Sequence, residues 1–180
     1  MDLIDSLDQS FQHAHGVIGN ISADQYDNKT PCEEWTVRDL LAHTIGVVAG
    51  LGAAASGSPG TPFELGTDPA AQFQDIAAST LAAWRTPGVF DQVLHSPAGP
   101  MPGRVLAGIN LLDTTTHTWD LACATGQPTH LPDDVARAAL EVSRATISPD
   151  IRSGRFGPEQ PVTADAGPTE QLVAFLGRRP

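Results

Sequence analysis

Basic side chains are scarce: the 180 residues include only ten Lys plus Arg against 21 Asp plus Glu, a formal net charge of −11. Binding a phosphate backbone needs a basic footprint, so nucleic acid is excluded as a partner. An anionic membrane surface is excluded on the same ground. The acidity instead marks a soluble, self-repelling protein. Cysteine is nearly absent, and Cys32 and Cys123 do not make a secreted disulfide framework. No signal peptide is expected either, since the opening MDLIDSLDQSFQHAHG is acidic and amphipathic where a leader is basic and then apolar. No stretch approaches the ~18 apolar residues that span a bilayer, and there is no internal repeat or long linker. These absences point to one cytoplasmic domain over residues 1–180, long enough to bury a full core without staples.

What is present is helical periodicity. Leu3, Leu7, Phe11, Ala14 and Ile18 recur at helical spacing and predict a first helix over residues 3–21. NKTPCEEW then reads as a turn, because Pro31 discourages helix at Thr30. Thr36 with Asp39 forms an acidic capping box and opens a second helix, 36–55, whose buried stripe is Leu40, Leu41, Val47, Val48 and Leu51. The low-complexity stretch from Gly57 to Gly66 is a loop with the composition of a mobile one. A third helix, 68–84, would bury Phe73, Ile76, Leu81 and Trp84. Val89, Val93 and Leu94 suit a short extended piece before a Pro/Gly turn. Pro102 begins a fourth helix, 102–125, stopped by Gly126 and Pro128, and Pro132 a fifth, 132–147. Residues 148–180 form an irregular C-terminal arm packing on the bundle and ending in a short helix at 170–176. The fold class is all-α, a helical bundle.

The fourth helix carries the chemistry. From Val105 to Trp119 it reads VLAGINLLDTTTHTW, apolar or weakly polar on nearly every side, as in a helix covered all round. Asp113 is the one carboxylate within it, and His117 follows four residues later on the same face. A lone ionised carboxylate there is costly unless paired or metal-bound. Asp-x-x-x-His offers an oxygen and a nitrogen to one point, suiting zinc or another borderline divalent ion such as nickel. An Asp–His hydrogen bond would satisfy both groups without metal, so spacing alone leaves both readings open. His43 lies at the edge of the second helix's buried stripe, and Gly46 and Gly50 on that side leave room for a ligand or a close helix. Alone, such a His is more often a satisfied core residue. With Asp113 and His117 it completes a three-ligand site with a position left for water or substrate.

The remaining candidates each have a blander role beside the functional one. Asp120, three after His117, could accept the proton of its free ring nitrogen or could cap a neighbouring segment. Trp35 anchors a helix start, with a substrate-pocket role as the lesser alternative, and Trp119 packs between helices. Cys32 has nothing basic beside it in sequence, and Glu33 and Glu34 oppose a thiolate, so a structural role is favoured. Cys123 reads as core. His13 and His15 point to different faces; His95, by a Pro/Gly turn, is a surface residue or a pocket mouth; His130 is in a loop.

TPCEEWTVRDLLAH and DTTTHTWDLACATGQP closely resemble the mycothiol-dependent maleylpyruvate isomerase amino-terminal domain family, whose patterns are T-P-C-x-x-W-T-V-x-D-L-x-x-H and (D/E)-x-x-x-H-x-W-D-L-A-x-A-T-G. The ending AFLGRRP is similar to the L-x-G-R-x-P of its small stand-alone members. The resemblance implies a DinB-like up-and-down four-helix bundle with additional short helices, and a metal on His43, Asp113 and His117. Two departures stand out: Asp113 is shorter than the Glu of the characterised isomerase, and that enzyme's second, carboxy-terminal domain has no counterpart here. The isomerase reaction is therefore not carried over with the fold. The leading expectation is a metalloenzyme that activates a small mycothiol-like thiol for a transferase or isomerase step on an electrophilic substrate. The alternatives are a non-catalytic metal-binding or stress-response module and a metal-dependent hydrolase. A homodimer is the expected assembly.

Overall fold

The computed structural model describes residues 2–32, 34–96 and 99–180. Glu33, weighed beside Cys32, and Pro97 and Ala98 of the Pro/Gly turn lie outside the described residues. The first three long helices start where the sequence offers a side-chain cap. Asp2 accepts the Ile4 N–H at 2.7 Å and opens α1, Leu3–Gly19, which buries Leu7, Phe11, Ala14 and Ile18. Thr36 and Asp39 close the expected box, the Asp39 carboxylate accepting the Thr36 N–H at 3.0 Å, and open α2, Val37–Ala55. Asp68 accepts the Ala71 N–H at 3.0 Å ahead of α3, Pro69–Trp84.

The extended piece starts later than expected, since Val89 lies in a short 3-10 turn over Val89–Asp91, and it becomes a hairpin: β1, Val93–Ser96, pairs antiparallel with β2, Gly99–Pro102, with His95 opposite Pro100 and Val93 opposite Pro102. Pro102 therefore closes the hairpin, and α4 runs Gly103–Thr125. Gly103 is required there, because a Cβ would strike the Val89 carbonyl. Gly126, at φ 68°, ends α4 in the left-handed conformation. α5, Asp133–Thr146, and the short α6, Pro149–Arg152, and α7, Pro168–Phe175, complete the chain.

α1 and α2 each pack against both α3 and α4, so α1 and α2 face each other across the bundle diagonal. Four pairs of contacts give the helix directions. Ser10 bonds Thr115 and the Gln127 amide reaches the Val17 carbonyl, so α1 and α4 run parallel. The Val37 N–H bonds the Asn28 carbonyl while the Asn28 amide bonds the Ala124 carbonyl, so α2 starts where α4 ends. Arg85 pairs with Asp8 while Gly19 approaches Ala70, so α3 opposes α1. Leu41 shares a cavity with Pro69 and Ala70 while Thr80 bonds the Val48 carbonyl, so α2 and α3 run parallel. The bundle is of the expected class, but the directions read up, down, down, up and do not strictly alternate. The physical reason is the 56–68 connection, which returns along α2 before α3 begins. Gly52 lets α2 and α3 meet, since a Cβ there would strike Thr80.

The core is built from Leu7, Phe11, Leu41, Ile45, Phe73, Trp84, Leu106, Leu111 and Leu121. α4 is buried by α1, α2 and α5, as its weakly polar circumference requires, and Thr116, Thr118 and Thr125 donate to the carbonyls of Leu112, Thr114 and Leu121 one turn back, while Thr115 pairs with Ser10 of α1. The expectation about long apolar stretches also needs correcting. By length and composition α2 is apolar enough to cross a membrane, with a mean hydropathy of 1.3, although no long apolar stretch was expected. Its buried stripe is covered by α3 and α4, which is also what a core helix looks like.

Candidate metal centre

His43 on α2 and Asp113 and His117 on α4 meet because the two helices are antiparallel neighbours. His43 Nε2 lies 3.2 Å from Asp113 Oδ2, and His117 Nε2 lies 3.7 Å from the same oxygen. The three ligand atoms all fall within 4.8 Å of one another. Ligands held ~2.0–2.1 Å from a tetrahedral zinc sit roughly 3.3 Å apart, so the spacing suits a shared ion. Asp113 Oδ1 supplies the independent test: it is buried and has no hydrogen-bond partner among the described residues. A buried carboxylate oxygen left unpaired is costly, and a cation beside it removes the penalty. The two-nitrogen, one-oxygen donor set fits zinc.

The other nitrogen of His117 is also held. Nδ1 lies 3.0 Å from Asp120 Oδ2, and Asp120 is fully buried. Arg178, at the chain's far end, grips both Asp120 oxygens, Nε donating to Oδ1 at 3.1 Å and Nη2 to Oδ2 at 2.8 Å. Burial pushes the Asp120 carboxyl up, but the bonds from His117 and Arg178 outweigh it and hold it below the usual range. Burial likewise pulls the His117 imidazole down, yet the charge of Asp113 and the bonds to Asp120 and Cys32 raise it to about 10 in the metal-free protein.

Above the triad stands a turn tied by Thr30, whose hydroxyl donates to the Trp35 carbonyl at 2.9 Å and accepts the Cys32 N–H at 3.1 Å. This places the Trp35 ring 4.5 Å from that of His43 and 6.0 Å from that of His117. Cys32 Sγ lies 3.4 Å from Asp120 Oδ2, 3.8 Å from His117 Nδ1 and 3.6 Å from Arg178 Nη2. The sequence reading that nothing basic neighbours Cys32 thus holds along the chain and fails in space. Cys123 is half-buried, its thiol pushed up to about 11 by burial and by the charge of Asp120. His95 is exposed on β1. Its hairpin leads into the α4 N-terminus, ~15 Å along the axis from Asp113, so His95 is not brought together with the other site residues. Phe63, from the 57–66 loop, covers Gly46 one turn from His43, while Gly50 faces open space. A groove of about 660 Å³ lined by Leu3, Phe90, Arg104, Val105 and Val142 lies apart from the triad.

Sequence reasoning missed Arg178 as a site residue. The terminal G-R pair was visible, but nothing in the linear sequence said which carboxylate it would meet.

The family model described as the mycothiol maleylpyruvate isomerase N-terminal domain matches residues 7–122. The chain belongs to that family. Among curated relatives, the uncharacterized proteins Rv0738 (strain ATCC 25618 / H37Rv) and MT0763 (strain CDC 1551 / Oshkosh) of Mycobacterium tuberculosis are each 38% identical over 164 residues, covering 90% of both chains. Among solved structures, a mutant of the mycothiol-dependent maleylpyruvate isomerase matches with a TM-score of 0.52 at 14% identity, over 77% of this chain and 68% of that one. At that identity the likeness establishes a shared DinB-like helical fold. The family match reaches from α1 nearly to the end of α4 and so includes the triad and Asp120, with Arg178 beyond it.

Proposed function

We propose that this chain binds one divalent transition metal, zinc by its donor set, through His43, Asp113 and His117. The site then presents a small mycothiol-like thiol to an electrophilic substrate in a transferase or isomerase reaction. The observation that carries the reading is the convergence of two imidazole nitrogens on Asp113 Oδ2 beside the buried, unpartnered Asp113 Oδ1. A zinc ion there supplies a Lewis acid that lowers the pKa of a coordinated thiol or water.

The chain's own residues do the rest. Two neutral imidazoles and a single carboxylate would leave a bound divalent ion with net positive charge, which would favour an anionic sulfur ligand. With three protein groups holding the ion, a further position would be open to such a ligand, and His43, with 31% of its side chain exposed, marks the accessible side of the site. Trp35 walls the two imidazoles with an apolar ring and keeps water from that face. Asp120 is occupied by His117 and Arg178, so it is not the base that takes a substrate proton. Family membership favours a thiol over water as the nucleophile. A thiol co-substrate and two free cysteines suit the reducing cytoplasm.

The test is elemental analysis of the purified protein, then electrophile consumption with mycothiol present and absent. One zinc per chain with mycothiol-dependent turnover is expected. Metal without turnover turns the reading into a binding module, and thiol-independent hydrolysis turns it into a hydrolase. A wild-type protein that takes up no stoichiometric metal refutes the reading.

A further inference from the structure

The C-terminal residues approach the centre along a fixed path. α7 ends at Phe175, and Gly177 takes φ 88°, the left-handed conformation that glycine adopts without strain. The Gly177 N–H donates to the Ala174 carbonyl and the Arg178 N–H to the Val173 carbonyl, each at 2.9 Å, closing the helix end. Gly177 also presses on the backbone of Gly157 so closely that a Cβ would overlap it. The chain direction at Arg178 is therefore set by backbone, and its side chain is steered inward, where only 13% of it remains exposed.

We infer that Arg178 is a positioning residue of the metal centre: it fixes Asp120, and through Asp120 the ring of His117, so that Nε2 faces Asp113. The inference rests on the metal reading above. A carboxylate bonded only to His117 could rotate about its own axis. The two parallel bonds from Arg178 lock both Asp120 oxygens in one plane. Oδ2 then accepts Nδ1–H of His117 at 3.0 Å, which leaves Nε2 as the lone-pair nitrogen, pointed at Asp113 Oδ2.

Arg178 does a second thing by position. Cys32 Sγ, His117 Nδ1 and Asp120 also gather within 4.8 Å of one another, a second donor group on the opposite edge of the same imidazole. The guanidinium stands 2.8 Å from Asp120 Oδ2 and 3.6 Å from Cys32 Sγ, so a fixed positive charge already fills that place. Metal is thereby directed to the Nε2 edge, where the Asp113 carboxylate, unlike that of Asp120, has no arginine paired with it among the described residues.

The test is zinc affinity by competition with a chromophoric chelator, on variants whose helical circular dichroism matches wild type. Arg178→Leu is expected to weaken zinc about 10- to 100-fold, the range for groups that orient a metal ligand. Asp120→Asn should do the same, and the double variant should be little worse than either single one, because both act through one ring. Arg179→Ala, altering the exposed neighbouring arginine, should leave affinity unchanged. Arg178→Lys, which keeps the charge and loses the fork, should fall between wild type and Arg178→Leu. Should Arg178→Leu fail to fold with its buried carboxylate unpaired, Arg178→Lys and the neutral double variant decide. Affinity within twofold of wild type in those variants overturns the positioning role while leaving the metal reading intact. A wild-type protein that binds no zinc overturns both, and that measurement comes first.

Discussion

Metal binding should expel a proton from His117, and the pH profile should show it. In the metal-free protein the imidazole lies between Asp113 and Asp120, which against the opposing effect of burial raise its pKa from 6.5 to about 10. At pH 7 the ring is therefore an imidazolium, and only the neutral ring can ligate. Loading at pH 7 should release about one proton from this residue, and apparent affinity should climb roughly tenfold per pH unit up to about pH 9, flattening near 10. An unperturbed imidazole would flatten just above pH 7, so the window between about 7.5 and 9 separates the two cases. Calorimetric titration in buffers of different ionisation enthalpy counts the protons, and chelator competition gives the slope. An affinity independent of pH above about 7.5, with no proton released, refutes the electrostatic reasoning.

The same imidazolium sets a stability trend. A group whose pKa is raised on folding contributes fully below its unfolded value and loses that contribution as pH rises through the folded one, so the metal-free protein should become less stable between about pH 6.5 and 10; denaturant midpoints across that range check the sign. His117→Ala should abolish stoichiometric zinc binding at micromolar concentration while leaving the helical circular dichroism intact, because the helices pack through their leucines; equilibrium dialysis with metal analysis measures it. Gly52→Ala should destabilise the fold by about 1–3 kcal/mol, since its Cβ would drive Thr80 off α2; a melting midpoint equal to wild type would contradict the close α2–α3 approach.

The elements legible in the sequence were those written in local signals. The Thr36–Asp39 box and the Gly126 stop each fix a helix end through atoms a few residues apart, and the observed ends fall within two residues of expectation. Asp113 and His117 could be paired on paper because four residues bring side chains to one helical face. Helix direction could not be read the same way, because it depends on the path of the 56–68 connection. The environment of Asp120 was hidden for a related reason: Arg178 is 58 positions away in sequence, and only the left-handed turn at Gly177 aims it. For Cys32 the linear neighbours are acidic, whereas the spatial neighbours include a guanidinium and an imidazole.

The 56–68 connection has a consequence for how the family can vary. Because α3 starts level with Leu41, the chain must travel back from Ala55 by ~21 Å along the axis. Fully stretched, residues 56–68 reach at most ~45 Å, so only a modest reserve remains after the sideways step to α3. The glycine-rich segment is thus a tether with limited slack: a few deletions are tolerable, but a tight turn in its place would force α3 to reverse. On its way it lays Phe63 over Gly46, one turn from His43. Changes in tether length or composition therefore reshape the wall beside His43 without altering His43, Asp113 or His117 themselves.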